Sequence, residues 1–112
     1  MLFFRGLLIA FFVVIAVYTA IVISNHGMGL LPIFFNDIVS MTWPGQFNLD
    51  FLTFLVLSAT WLAWRHNFSL QGLLLAVCGA LGGMLFLSAY LLYLTYQTKG
   101  NIREVMLGKS RA

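Results

Sequence analysis

The sequence predicts an all-helical membrane protein: three transmembrane helices, a short interfacial helix in the first loop and an amphipathic C-terminal tail. Three observations carry that prediction. Hydrophobic residues make up 62% of the chain and charged residues 8%, against roughly a quarter charged in soluble domains. Three acidic and six basic side chains cannot clothe a water-facing surface on a chain whose mean hydropathy is +0.97. The apolar residues fall into long runs, with most of the charges between or beyond them. A water-soluble globule is excluded, and residues 1–112 read as one integral membrane domain.

The first run, Gly6 to Ile23, is uncharged, with only Tyr18 and Thr19 as polar groups. It approaches the ~20 residues a helix needs to cross hydrocarbon, so a span is expected over about 4–24. Arg5 resembles the basic start of a signal peptide, but the run is long for one and no A-x-A site follows, so a retained span is expected. The second run, Phe51 to Trp64, crosses only if its helix begins near Asn48, giving a span over about 48–65. Asn48 is then the N-cap, and Asp50 lies in the first turn, where its carboxylate meets the positive end of the helix dipole. The third run, Leu70 to Tyr96, starts behind Ser69, a good cap, and gives a span over about 69–96. The short link Arg65-His66-Asn67-Phe68 makes helices two and three an antiparallel hairpin.

On the third helix Gly72, Ala76, Gly79 and Gly83 recur at spacings of four, three and four, which aligns them on one face. Close backbone approach is what holds helices together in lipid, so this is a helix-packing face, for a helix of the same chain or for another subunit. Tyr90, Tyr93 and Tyr96 at one end, with Trp61 and Trp64 at the opposite surface, read as two aromatic belts.

In the first loop His26-Gly27-Met28-Gly29 ends helix one with cap-like glycines. Pro32 opens a short helix with Asn36, Asp37 and Ser40 on one side and Phe34, Ile38 and Met41 on the other, the pattern of a helix in the interface. Trp43-Pro44-Gly45 then turns the chain. After Gln97, Asn101 and Glu104 stand at N-cap spacing, Ile102, Val105 and Met106 share a face, and Gly108 terminates an amphipathic turn or two. Lys99, Arg103, Lys109 and Arg111 seat that tail on anionic lipid.

Three spans put the termini on opposite sides, with Arg5 and Arg65 on one and the four tail cations on the other. The positive-inside rule then favours a cytoplasmic C-terminus and an outside N-terminus. The cations flank apolar runs rather than forming a stripe with interleaved aromatics, so headgroups, not nucleic acid, are the expected counter-ions. The lone Cys78 supports neither a disulfide nor a zinc site.

His26, Asn36, Asp37, Gln46, Asn48 and Asp50 gather at one surface and form the one polar cluster in which acids and a histidine converge. It suits proton transfer or cation binding in principle, and helix capping and solvation in the simpler reading. No metal motif, phosphate loop or nucleophile elbow is present, and no cofactor is expected. The middle of every expected span lacks an ionisable group, which argues against ion-coupled transport. Small multidrug-type exporters are similar in length, but have four spans and an acid within the first.

The segments MTWPGQFNLDF (Met41 to Phe51), WLAWRH (Trp61 to His66) and GGMLFLSAYLL (Gly82 to Leu92) together resemble a group of small uncharacterised bacterial three-span membrane proteins, over nearly the whole chain. That resemblance implies a bacterial inner membrane and no particular reaction. A looser similarity in size and span number is to the paired small subunits of bacterial carotenoid cyclases, whose acidic motifs do not match residue by residue.

Two functions are therefore expected in order. The first is a non-catalytic accessory subunit or scaffold, docking through the Gly72/Ala76/Gly79/Gly83 face onto a membrane-protein partner or a second copy in the bilayer. The second is a membrane enzyme or binding protein for a lipid, quinone or carotenoid, with Asp50, Asp37 and His26 beside the pocket.

Overall fold

The computed structural model describes residues 1–112 and is all-helical. Its helices are α1 (Leu2–His26), α2 (Leu30–Val39), α3 (Trp43–Arg65), α4 (Leu70–Gln97) and α5 (Ile102–Leu107). By length and composition α1, α3 and α4 are each able to cross a membrane. α1 is apolar nearly all round and buries only Leu8, as a helix does when most of its surface faces lipid. It ends where Gly27 takes φ 72° and its amide donates back to the Ile23 carbonyl.

The break between α2 and α3 comes earlier than the sequence suggests. Met41 takes φ 59° and Thr42 is extended, so α3 already starts at Trp43. Pro44 then lies in the first turn, where a missing N–H leaves no bond unmade. The expected turn at Trp43-Pro44-Gly45 is thus helical, and Asn48 is not a cap. Asn48 sits more than a turn inside α3, and its Nδ2 donates to the Phe34 carbonyl of α2 at 3.1 Å. Gly45 is buried against α2 so closely that a Cβ there would run into the Asp37 carbonyl oxygen. With Asp37 opposite Gly45 and Phe34 opposite Asn48, α2 runs antiparallel along the start of α3.

α4 departs furthest from expectation. Were it straight, Tyr90 would stand about 30 Å along the axis from Ser69. Yet the Tyr90 hydroxyl is hydrogen-bonded to His66, before the helix begins, and its ring lies 6.2 Å from that of Trp61. The chain reverses at Gly83, which takes φ 56° and ψ −138°, a conformation open to glycine and strained for other residues. The outgoing arm, residues 70–82, runs back along α3: Gly72 meets Ala63 and His66, Gly79 meets Leu62, and Gly83 meets Phe51 and Leu55. The returning arm, residues 84–97, folds onto the first, with Phe86 against Gly79 and Gly82. Ser69 caps the outgoing arm by accepting the Gly72 amide.

Each arm is about 20 Å long, roughly two-thirds of a hydrocarbon layer. Both ends of α4 therefore emerge at one end of the molecule, and the termini join them there. Arg5 donates to Thr95, Gly100 stands against Met1, and Arg111 donates to Trp64. The expectations of termini on opposite sides and of tyrosine and tryptophan belts at opposite surfaces are both overturned by this reversal. Trp61, Trp64, Tyr90, Tyr93 and Tyr96 belong to a single end.

Gly83→Ala is expected to destabilise the protein by about 1–3 kcal/mol, read as a lower thermal midpoint in detergent. Gly6→Ala, where an added methyl meets open space, serves as the control and should leave the midpoint unchanged or slightly raised. Equal midpoints for wild type and Gly83→Ala would contradict the reversal.

Candidate functional site

α3, α4 and α5 all terminate at the end that holds Met1. Each leaves carbonyls without helical partners and the negative end of a helix dipole. Three arginines from other segments add donors at these ends, reaching Val105 and three carbonyls, of Trp64, Thr95 and Glu104, that also accept a backbone amide. Arg65, the last residue of α3, donates from Nε to the Val105 carbonyl at 2.7 Å and from Nη2 to the Glu104 carbonyl at 2.9 Å, so it caps α5. Trp61 adds a bond from its indole nitrogen to the Met106 carbonyl at 2.9 Å. Arg111 returns the favour to α3, with Nη1 2.6 Å from the Trp64 carbonyl and the guanidinium 4.0 Å above the Trp64 ring. Arg5 caps α4 in the same way, through Nη2 to the Thr95 carbonyl and Nε to the Thr95 hydroxyl, while its guanidinium lies 4.1 Å from the Tyr96 ring centre.

None of the three arginines is paired with a carboxylate. Their counter-charge is the partial negative charge of helix ends, and a planar fork of donors suits two carbonyls on one rim. Arg65 is 9% exposed, and no buried side-chain nitrogen or oxygen of the protein lacks a partner. Local sequence explains why α5 is present to be capped. The Asn101 side chain accepts the Arg103 and Glu104 amides at its start, and Gly108 at φ 84° ends it. The Gly108 position also lets the chain pass beside the Arg65 carbonyl, 3.0 Å from where a Cβ would stand.

His66 and Tyr90 complete the cluster. Arg65 Nη1 lies 3.4 Å from both the Tyr90 hydroxyl and His66 Nε2, and those two are hydrogen-bonded to each other. Phe86 stacks on Tyr90 with ring centres 5.8 Å apart, and Trp61 meets it edge-on. Partial burial, and then the adjacent Arg65 charge, hold the His66 imidazole below its usual pKa near 6.5.

The six residues of the expected polar cluster lie away from this end, with Asp50 about 22 Å along α3 from Arg65. His26, Asn36, Gln46 and Asp50 are exposed, Asp37 and Asn48 are half-buried, and no side-chain hydrogen bond joins any two of them. Nowhere do three His, Cys, Asp or Glu side chains come within reach of one metal ion. Asp50 is displaced from its expected place: with α3 beginning at Trp43, the acid stands two turns inside, not in the first turn. Of the small-residue face, Gly72 and Gly79 are buried against α3 and Gly79 also against Phe86, Ala76 is half-buried, and Gly83 is the hinge. The face is spent within the chain. Sequence reasoning passed over Arg5, Arg65, Arg111, His66 and Tyr90, because which helix ends they reach depends on the reversal at Gly83.

Arg65→Met should cost about 3 kcal/mol through the loss of two charge-assisted bonds to buried carbonyls, and Arg65→Lys should recover less than half of that, since an ammonium cannot fork. Unfolding in detergent measures both, and trypsin cleavage at Arg103 and Lys109 should accelerate in parallel. Because the folded state disfavours protonated His66, the stability it contributes is present above pH 6.5 and is lost as pH falls below that value through the lower folded pKa. Thermal midpoints measured between pH 7.5 and 5 should fall in the wild type and flatten in His66→Gln.

No protein-family model, curated protein or solved structure matches the chain, so its function has to be argued from its own residues and geometry.

Proposed function

We propose that the protein is a non-catalytic accessory subunit or scaffold in a bacterial inner membrane, with both termini and the arginine-capped end in the cytoplasm. The observation that carries the subunit reading is the tip of the α4 hairpin. The backbone departs from helical geometry at Gly83, and a break in a helix leaves the carbonyls before it and the amides after it without their usual i→i−4 partners. That interruption stands about 20 Å from the cytoplasmic end, within the hydrocarbon layer, and Gly82 beside it is exposed. Irregular backbone is sustained at that depth only when protein or a water-filled cavity covers it. Another subunit supplies such a cover.

The orientation rests on charge. All six Lys and Arg residues lie at or beyond the end of the molecule where α3, α4 and α5 terminate, and none lies in the loops of the other end. A one-sided distribution of this kind is retained on the cytoplasmic side. The bacterial inner membrane is supported by the resemblance of the Met41–Phe51, Trp61–His66 and Gly82–Leu92 segments described above.

A second reading, binding of a lipid, quinone or carotenoid, is favoured by one feature. An apolar groove of about 260 Å³ runs between α3, the returning arm and α5, lined by Phe54, Leu57, Trp61, Leu87, Leu91 and Met106.

Gentle extraction followed by intact mass spectrometry separates the two. A stoichiometric membrane-protein partner is expected; a chain that purifies alone with a retained pigment, quinone or lipid supports the second reading instead. Fluorescent reporters that mature only in the cytoplasm should glow at both ends of the chain. One bright and one dark fusion, with expression confirmed, would contradict the shared side.

A further inference from the structure

α3 carries a seam that the other helices of this chain leave largely exposed. Trp43, Phe47, Asp50, Phe54 and Leu57 follow one another at spacings of four, three, four and three, the repeat with which one helix packs lengthwise on another, and the seam stops at Trp61, which is held by Tyr90 and the Met106 carbonyl. α2 and α4 pack on α3 elsewhere, through Gly45, Ala63 and Leu62, and leave this seam open: Trp43 is 73% exposed, Phe47 and Phe54 are each 65% exposed, and Leu57 is 66% exposed. Its one ionisable member is Asp50.

The depth of Asp50 makes it informative. It lies about 22 Å along α3 from Arg65, which is held at the cytoplasmic end by the caps on α5. In a hydrocarbon layer about 30 Å thick that places the carboxylate inside the apolar zone, at the level of Gly83, which touches the neighbouring Phe51. The Asp50 side chain makes no hydrogen bond or ion pair within the chain, since its recorded contact is through its carbonyl to Thr53. An acid at this depth calls for a cationic or hydrogen-bonding partner in the layer.

We infer that the α3 seam docks a transmembrane helix of a different protein, one that carries a single Lys or Arg at the depth of Asp50. A second copy of this chain brings no cation to that depth. Its cations all lie at the cytoplasmic end, so two copies side by side in the same orientation bring carboxylate toward carboxylate with no positive charge between them. A lipid chain lying on the apolar residues leaves Asp50 unpaired. This inference rests on the accessory-subunit reading and names the chemistry of the subunit.

The test replaces Phe54, on the seam, or Val56, exposed but off it, with a photo-crosslinking amino acid in the full chain in its native membrane. Adducts are identified by mass spectrometry. Position 54 should yield one protein adduct whose linked span holds a Lys or Arg, and position 56 should yield mainly lipid. Asp50→Asn should reduce that adduct and co-purification of the same protein tenfold or more, and Asp50→Lys should abolish both. The Asp50 side chain is exposed and makes no hydrogen bond or ion pair in its own chain, so these variants are expected to keep the fold, which circular dichroism and the thermal midpoint verify. A lipid adduct at both positions, an adduct to a second copy, or a linked span without a basic residue each overturns the inference. If Asp50→Asn leaves co-purification unchanged, the seam assignment falls while the subunit reading stands. If no protein co-purifies with the wild type, both fall.

Discussion

The architecture depends on a reversal that a residue other than glycine would adopt only under strain. At φ 56° and ψ −138°, Gly83 folds a 28-residue apolar helix onto itself, and everything at the arginine-capped end follows. The returning arm carries Tyr90 to His66 and Thr95 to Arg5, and it delivers the tail to the end of α3. Small residues make the doubling possible, because Gly72 and Gly79 let the outgoing arm approach α3 closely while Gly79 and Gly82 receive Phe86. The close approach that drives helix association in lipid is spent here within the chain.

Doubling back gathers several helix ends on one surface, and arginines reach the carbonyls there. Arg5, Arg65 and Arg111 each reach a helix end other than their own, and the exchange between α3 and α5 is reciprocal. The arrangement explains how a chain with so few acids keeps a buried guanidinium without an ion pair. The negative ends of helices serve as diffuse counter-charges, and the low dielectric around them strengthens each bond. Trp61 and His66 fill the same rim, so the tail is tied to the membrane domain by side chains that also mark the headgroup level.

Much of the fold was legible in the sequence, and the failures share one cause. The apolar runs announce three long helices, and Ser69 and Asn101 cap where their residue types suggest. The helices α3 and α4 end at Arg65 and Gln97, where charge and polarity change abruptly in the sequence. A glycine pair inside an apolar run gives no such change: Gly82-Gly83 is compatible with a straight packing face and with a hairpin tip alike, and only long-range contacts distinguish them. From that ambiguity came the misplaced termini, the divided aromatic belts and the unseen arginine rim. Asp50 was misjudged for a more local reason. Pro44 was read as a turn residue when its place in a first helical turn is equally natural, and the five extra residues moved the acid inward. Of the small-residue face, Gly72 and Gly79 pack within the chain, and the face left open is the aromatic seam on α3.

The most direct test of the account is the distance between the two ends of α4. With Cys78 replaced by serine, spin labels at positions 71 and 97, both exposed, report it by pulsed electron resonance in lipid nanodiscs. The hairpin predicts a separation below about 25 Å, since its arms lie side by side at helix-packing distance. A straight membrane-crossing helix gives about 39 Å, and a distribution centred there would contradict the reversal at Gly83 and the shared end that depends on it.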